Sequence, residues 1–101
     1  MDESNQIEPP PSFAALYAAP GGQRLLKPAS FVVARYEFCE DLAQSLVSHA
    51  GAMLAKTDGA EREALAQIRQ ALRADADLLS EPETDWVLAR LAELAGWDAG
   101  T

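Results

Sequence analysis

The spacing of apolar positions is that of helices. From Pro28 to about Thr57, steps of 100° per residue place Phe31, Val32, Phe38, Cys39, Leu42, Leu46, Ala50 and Met53 on one arc. Glu37, Glu40, Asp41, Gln44, Ser45 and Ser48 fall opposite, which predicts one packed face and one wet face. Proline suits the first turn and no later proline interrupts the run, so a continuous helix of roughly 40 Å is expected.

Two further helices follow from the same reading. Asp58 with Glu61 has the spacing of a capping box, and Leu65, Ile68 and Leu72 then recur at i, i+3 and i+7 as far as about Ala74. Ser80 with Glu83 repeats the capping signal around Pro82, and the stripe Val87, Leu88, Leu91, Leu94 and Ala95 is closed by Gly96.

The N-terminal part reads differently. Pro9, Pro10 and Pro11 lack amide donors and disfavour helix in the residue before each, so the first dozen residues read as an extended, mobile arm. Ser12 is expected to cap a short turn through Ala19 that puts Phe13, Leu16 and Tyr17 on one side, before Pro20, Gly21 and Gly22 stop it. No segment alternates apolar and polar residues with β-branched enrichment, and no long-period repeat occurs. The expected fold is therefore all-α, a small three-helix antiparallel bundle (residues 28–101) with a mobile Pro-rich N-terminal arm (residues 1–27).

Composition narrows the class of function. A chain of 101 residues with 49% hydrophobic content can fill one core without metal or disulfide staples. Cys39 is the only cysteine, which fits a reducing compartment, and MDESNQIEPPP has neither the basic start nor the apolar run of a secretory signal. The cytoplasm is the expected location. Arg35, Glu37, Glu40 and Asp41 interrupt the longest apolar candidate, so no membrane span is expected. A net charge of −8 argues against nucleic-acid binding, which draws its affinity from lysine and arginine on phosphate. The imbalance sits in residues 58–101, with ten acidic and four basic residues, against six and four in residues 1–57.

Several residue groups carry the types needed for chemistry, but not the geometry. Gly21, Gly22 and Gln23 spell the tripeptide with which release factors hydrolyse peptidyl-tRNA; in an acidic chain with only Arg24 and Lys27 nearby, they read as a turn. Asp41, Ser45 and His49 have the types of a catalytic triad at i, i+4 and i+8 of one helix. Each four-residue step drifts about 40° around the axis, so those side chains form a ladder that does not converge. His49 is expected half-buried at the edge of the apolar arc. Glu37, Glu40 and Asp41 crowd carboxylates without an inward Glu-x-x-His pair and read as a solvated face. No phosphate loop is present, so neither ATP hydrolysis nor any cofactor or metal is expected.

Arg35 falls within the apolar arc, and its guanidinium stays charged at any physiological pH. It is expected to be partly buried and paired with an acid of the third helix or its preceding loop, Asp77 or Asp85. Trp86 and Trp97, eleven residues apart, lie almost on one line of the third helix as core or partner anchors; at least one is expected in the core, as is Tyr36.

Pro10-Pro11-Ser12-Phe13 with Leu16-Tyr17, Arg35-Tyr36-Glu37-Phe38-Cys39-Glu40-Asp41-Leu42-Ala43, and Arg90-Leu91-Ala92-Glu93-Leu94-Ala95-Gly96-Trp97 resemble a group of short bacterial proteins of unassigned function. Some of that group are labelled an ATPase with chaperone activity, or a subunit of one, and the resemblance covers most of the chain. It implies a Clp-type chaperone connection. Those machines need a phosphate loop and a far larger nucleotide domain, so it implies an accessory protein, and it carries over no catalytic residue.

The expected function is thus a non-catalytic interaction module, an adaptor or regulator acting through an acidic helical surface, the N-terminal arm, or both. Phe13, Leu16 and Tyr17, with Trp97, are the expected partner-binding residues, unless that patch covers its own core. The partner is expected to be a protein, with homo-oligomerisation left open. Two alternatives remain: a nucleic-acid mimic built on the acidic C-terminal half, and an enzyme with Arg35, Glu37, Glu40, Asp41 and His49 assembled in an oligomer.

Overall fold

The computed structural model describes residues 8–22 and 24–97. Its elements are α1 (Pro11–Ala14), a 3-10 turn (Ala15–Tyr17), α2 (Ala29–Ser45), α3 (Val47–Lys56), α4 (Glu61–Arg73) and α5 (Glu81–Ala95). About 70% of the described residues are helical, with no strand among them, only an isolated antiparallel bridge between Ala18 and Leu25. The chain divides into two compact units within α2, one reaching Phe38 and the other starting at Cys39.

The all-α class holds, but the helix count does not. Five α-helices stand among the described residues where three were expected, because α1 is a helix and the run 28–57 is two. The break falls at Leu46, with φ −88° and ψ −4°. Ser45 Oγ donates to the Leu42 carbonyl at 2.8 Å, and the Leu46 N–H is shared between the carbonyls of Leu42 (3.1 Å) and Ala43 (3.2 Å). A serine that bonds back onto its own helix bends it, so the break needs neither proline nor glycine.

In the unit from Cys39 onward, α3, α4 and α5 pack pairwise. The buried apolar residues are Cys39 and Ala43 of α2, Ala50 of α3, Ala64, Ile68 and Leu72 of α4, Leu79, and Val87, Leu91 and Ala92 of α5, with Glu83 and Thr84 buried beside them at the start of α5. Each large aliphatic among them contributes roughly 1.5–3 kcal/mol by leaving water. The start of α5 follows its sequence signal. Glu83 N–H donates to Ser80 Oγ at 3.2 Å, Ser80 N–H donates to Glu83 Oε1 at 2.9 Å, and proline occupies the first turn. Arg73 Nη1 donates to the Leu79 carbonyl at 3.0 Å and holds the preceding loop. Gly96, at φ 76°, ends α5, and Trp97 N–H reaches the Ala92 carbonyl at 2.8 Å.

The capping box expected at Asp58 does not form. Asp58 has φ 56°, the left-handed position that ends α3, and the next amide, Gly59 N–H, donates to the Leu54 carbonyl at 2.9 Å. The residue before α4 is Ala60, which has no side-chain acceptor. Aspartate tolerates the left-handed region better than most residues, so the end of one helix claimed it before the next could.

In the unit up to Phe38, α1 starts at Pro11, and the Pro10 carbonyl accepts from Phe13 N–H (2.9 Å) and Ala14 N–H (3.0 Å), so Ser12 is not the cap. Residues 1–7 of the expected arm lie outside the described residues. The chain then turns back on itself: Leu26 N–H donates to the Tyr17 carbonyl at 2.7 Å and Ala19 N–H to the Arg24 carbonyl at 2.7 Å. Gly21 (φ 93°) and Gly22 (φ 75°) make this reversal with backbone angles that side chains resist. Gln23 lies outside the described residues.

Candidate functional site

The side chains with catalytic types do not converge. Ser45 commits its hydroxyl to the Leu42 carbonyl, and Asp41 and His49 are exposed, with His49 on α3 beyond the break at Leu46. The expectation of a half-buried His49 is therefore corrected. Among the described residues no three His, Cys, Asp or Glu side chains come together as a metal site.

Glu40 corrects the expected wet face. Its side chain is only 13% exposed and lies in a two-pronged ion pair with Arg90 of α5, Nε to Oε1 at 2.9 Å and Nη2 to Oε2 at 3.0 Å. Gln44 Nε2 adds a hydrogen bond to Oε2 at 2.7 Å, and Arg90 Nη1 donates to Glu93 Oε1 at 3.1 Å. The Arg90 hydrogen bond holds the Glu40 carboxyl below its ordinary pKa, and the same contact holds the guanidinium above its own. Glu37 and Asp41, by contrast, are exposed.

Arg35 is half-buried, as expected, and its guanidinium lies over the Phe38 ring at 5.0 Å. Asp85, one of the acids expected to meet it, is held by Arg69, which also reaches Glu81 Oε2 at 3.2 Å. Asp77, the other, is exposed beside Asp75.

One rotation of α2 accounts for these differences. The buried stripe of the helix is Val32, Cys39 and Ala43, whose centre lies roughly 50° around the axis from the centre of the apolar arc read from the sequence, at 100° per residue. That turns Glu40 inward on one side. On the other it turns Phe31 and Phe38 outward.

The expected partner-binding residues separate. Phe13 is fully buried, its ring 5.8 Å from that of Tyr17 and 5.6 Å from that of Tyr36. Leu16 and Tyr17 are half-buried, and so are Trp97, just past α5, and Trp86 within it.

What the first unit leaves outside is a different set. Leu25, Leu26, Phe31 and Phe38 are 36%, 62%, 41% and 37% exposed, and all lie between residues 25 and 38. Phe31 and Phe38 are seven residues apart on one side of α2, about 10 Å along its axis. Tyr17 meets Phe31 edge-on at 5.8 Å and 83°, and the Lys27 ammonium sits over the Phe31 ring at 5.5 Å. Arg24 and Lys27 are exposed. The sequence signal for this surface was present: Lys27 and Arg35 flank or share the apolar arc, where a wholly buried stripe carries no cations.

A second apolar surface lies between α4 and α5, a shallow groove of about 280 Å³ floored by Leu65, Ala66, Leu88, Ala89 and Ala92 and bordered by Arg62 and Arg69. Alanines at the contact leave the space. Comparison of the chain with protein-family models, with curated proteins and with solved structures finds no match.

Proposed function

We propose that the chain is a non-catalytic helical interaction module that docks a partner protein through Leu25, Leu26, Phe31 and Phe38, with Tyr17 at the edge. One observation carries the reading: in a chain of net charge −8, the large exposed apolar side chains of the described residues gather within one short stretch that also holds Lys27 and Arg35. Exposed apolar surface that includes aromatic rings beside charged groups is a usual composition of a docking surface. The commitment of the Ser45 hydroxyl and the exposure of Asp41 and His49 support the non-catalytic part.

The finer parts of the reading belong to the same proposal. The packed α3, α4 and α5 serve as the antiparallel three-helix scaffold behind the interaction role. The label carried by the proteins it resembles supports an adaptor or regulator attached to a chaperone assembly. A lone cysteine supports a reducing compartment such as the cytoplasm.

The test is capture from native lysate with the wild-type chain and with a Leu26→Ser/Phe31→Ser variant whose circular dichroism matches it. A protein retained by the wild type and lost with the variant is the expected outcome. Identical retention by both removes the face from the interaction.

A further inference from the structure

We infer that the segment received by this face is an acidic amphipathic helix, its apolar residues seated on Leu26, Phe31 and Phe38 and its carboxylates met by Arg24 and Lys27. The inference rests on the docking role proposed above and adds the chemistry of the partner.

Charge supplies the first argument. Residues 24–38 hold Arg24, Lys27 and Arg35 against one acid, Glu37, whereas the rest of the chain holds fifteen acids against five bases. The exposed apolar side chains therefore sit in a stretch of net positive charge within an acidic chain. Among the described residues neither Arg24 nor Lys27 is held in an ion pair, and the Lys27 ammonium is kept against the Phe31 ring at 5.5 Å. A carboxylate arriving there meets a cation already placed at the apolar edge, while a basic partner is repelled at the same spot.

Spacing supplies the second. Phe31 and Phe38 are separated by about 10 Å along α2, the distance between i and i+7 on a partner helix at 1.5 Å per residue. An extended strand presents same-side residues about 7 Å or 13 Å apart and meets only one ring at a time. Two turns of an amphipathic helix laid along α2 therefore cover both rings, with acidic positions beside them over Lys27 and Arg24.

The probe is a fluorescein-labelled synthetic helix with leucines at i, i+3 and i+7 and glutamates elsewhere, compared by anisotropy with a twin in which every glutamate is lysine. The glutamate peptide is expected to bind at least about tenfold more tightly. Arg24→Glu/Lys27→Glu is expected to reverse that order, and Leu26→Ser/Phe31→Ser to weaken both peptides; all four positions are exposed, and circular dichroism checks that each variant keeps its fold. Equal binding of the two peptides, lost in Leu26→Ser/Phe31→Ser, overturns the acidic partner and leaves the docking face standing. Binding that ignores Leu26→Ser/Phe31→Ser overturns both. Absence of binding by the glutamate peptide, self-association of the chain in sedimentation, or preference for phosphatidylglycerol vesicles overturns the inference in favour of no helix, a second copy, or a lipid surface respectively.

Discussion

Replacing Glu40 with alanine takes the carboxylate out of a two-pronged pair and leaves the Arg90 guanidinium behind. The cost is bounded on both sides. Exposed pairs contribute about 0–1 kcal/mol, whereas breaking a fully buried pair costs about 3–5 kcal/mol. The Glu40 side chain is 13% exposed and that of Arg90 34%, so the pair lies between these limits. Arg90 also keeps Glu93 at 3.1 Å and reaches water, which softens the loss on its side. We expect Glu40→Ala to cost about 2 kcal/mol, near the value of charged hydrogen bonds in folded proteins. Arg90→Ala strands the more buried partner and is expected to cost more, about 3 kcal/mol. Glu37→Ala and Asp41→Ala, on exposed positions of the same helix, should each stay under about 0.5 kcal/mol. Trp86 and Trp97 both lie in the unit that holds the pair, so urea melts followed by tryptophan fluorescence report on it directly. A Glu40→Ala midpoint indistinguishable from that of Glu37→Ala would refute both the inward turn of α2 and the weight given to the pair.

Three further outcomes follow from the same geometry. Because the folded Glu40 carboxyl is held by Arg90 below its ordinary value of 4.5, its contribution is complete above that pH and fades as acid takes the pH down through the folded value. The gap between wild type and Glu40→Gln in urea midpoints should therefore close below about pH 4.5, and a gap unchanged at pH 3 would contradict the assignment. Asp58→Gly should be neutral or stabilise by about 0.5 kcal/mol, since glycine accepts the left-handed angle freely; a clear loss in urea melts would restore Asp58 as the cap of α4. Phe13→Ala should cost about 3 kcal/mol or more and broaden or shift the amide resonances of residues 8–38, whereas Leu26→Ser should leave them dispersed; similar spectra for both would mean that Phe13 is not the centre of that unit.

The parts of the fold that depend on neighbours in sequence were legible from it. Ser80, Pro82, Glu83 and Gly96 set the ends of α5, and Ile68 and Leu72 marked the inward side of α4, whose third buried position is Ala64 while Leu65 faces the groove, because caps and helical periodicity act over one to two turns. The break at Leu46 was not legible, since the residue that makes it is a serine, and a serine at a helical position bonds back or faces water according to context. Asp58 had two possible uses, ending one helix or starting the next, and the sequence carries both signals. For α2 the wheel correctly grouped residues that share a side, but the direction of that side depends on what it packs against. An error of roughly 50° was enough to place Glu40 in water and Phe31 and Phe38 in the core. The exposure of Phe31 and Phe38 was missed through the same error: two large rings on an apolar arc read as core until the buried stripe beside them proved to be Val32, Cys39 and Ala43.

The central claim is that the face formed by residues 25–38 meets a partner protein, and hydrogen–deuterium exchange on the complex formed with a captured partner tests it most directly. Binding is expected to slow exchange from Arg24 through Phe38 and to leave the exposed sides of α4 and α5 at their free rates. Protection confined to α4 and α5, with residues 24–38 exchanging as in the free chain, would contradict the account.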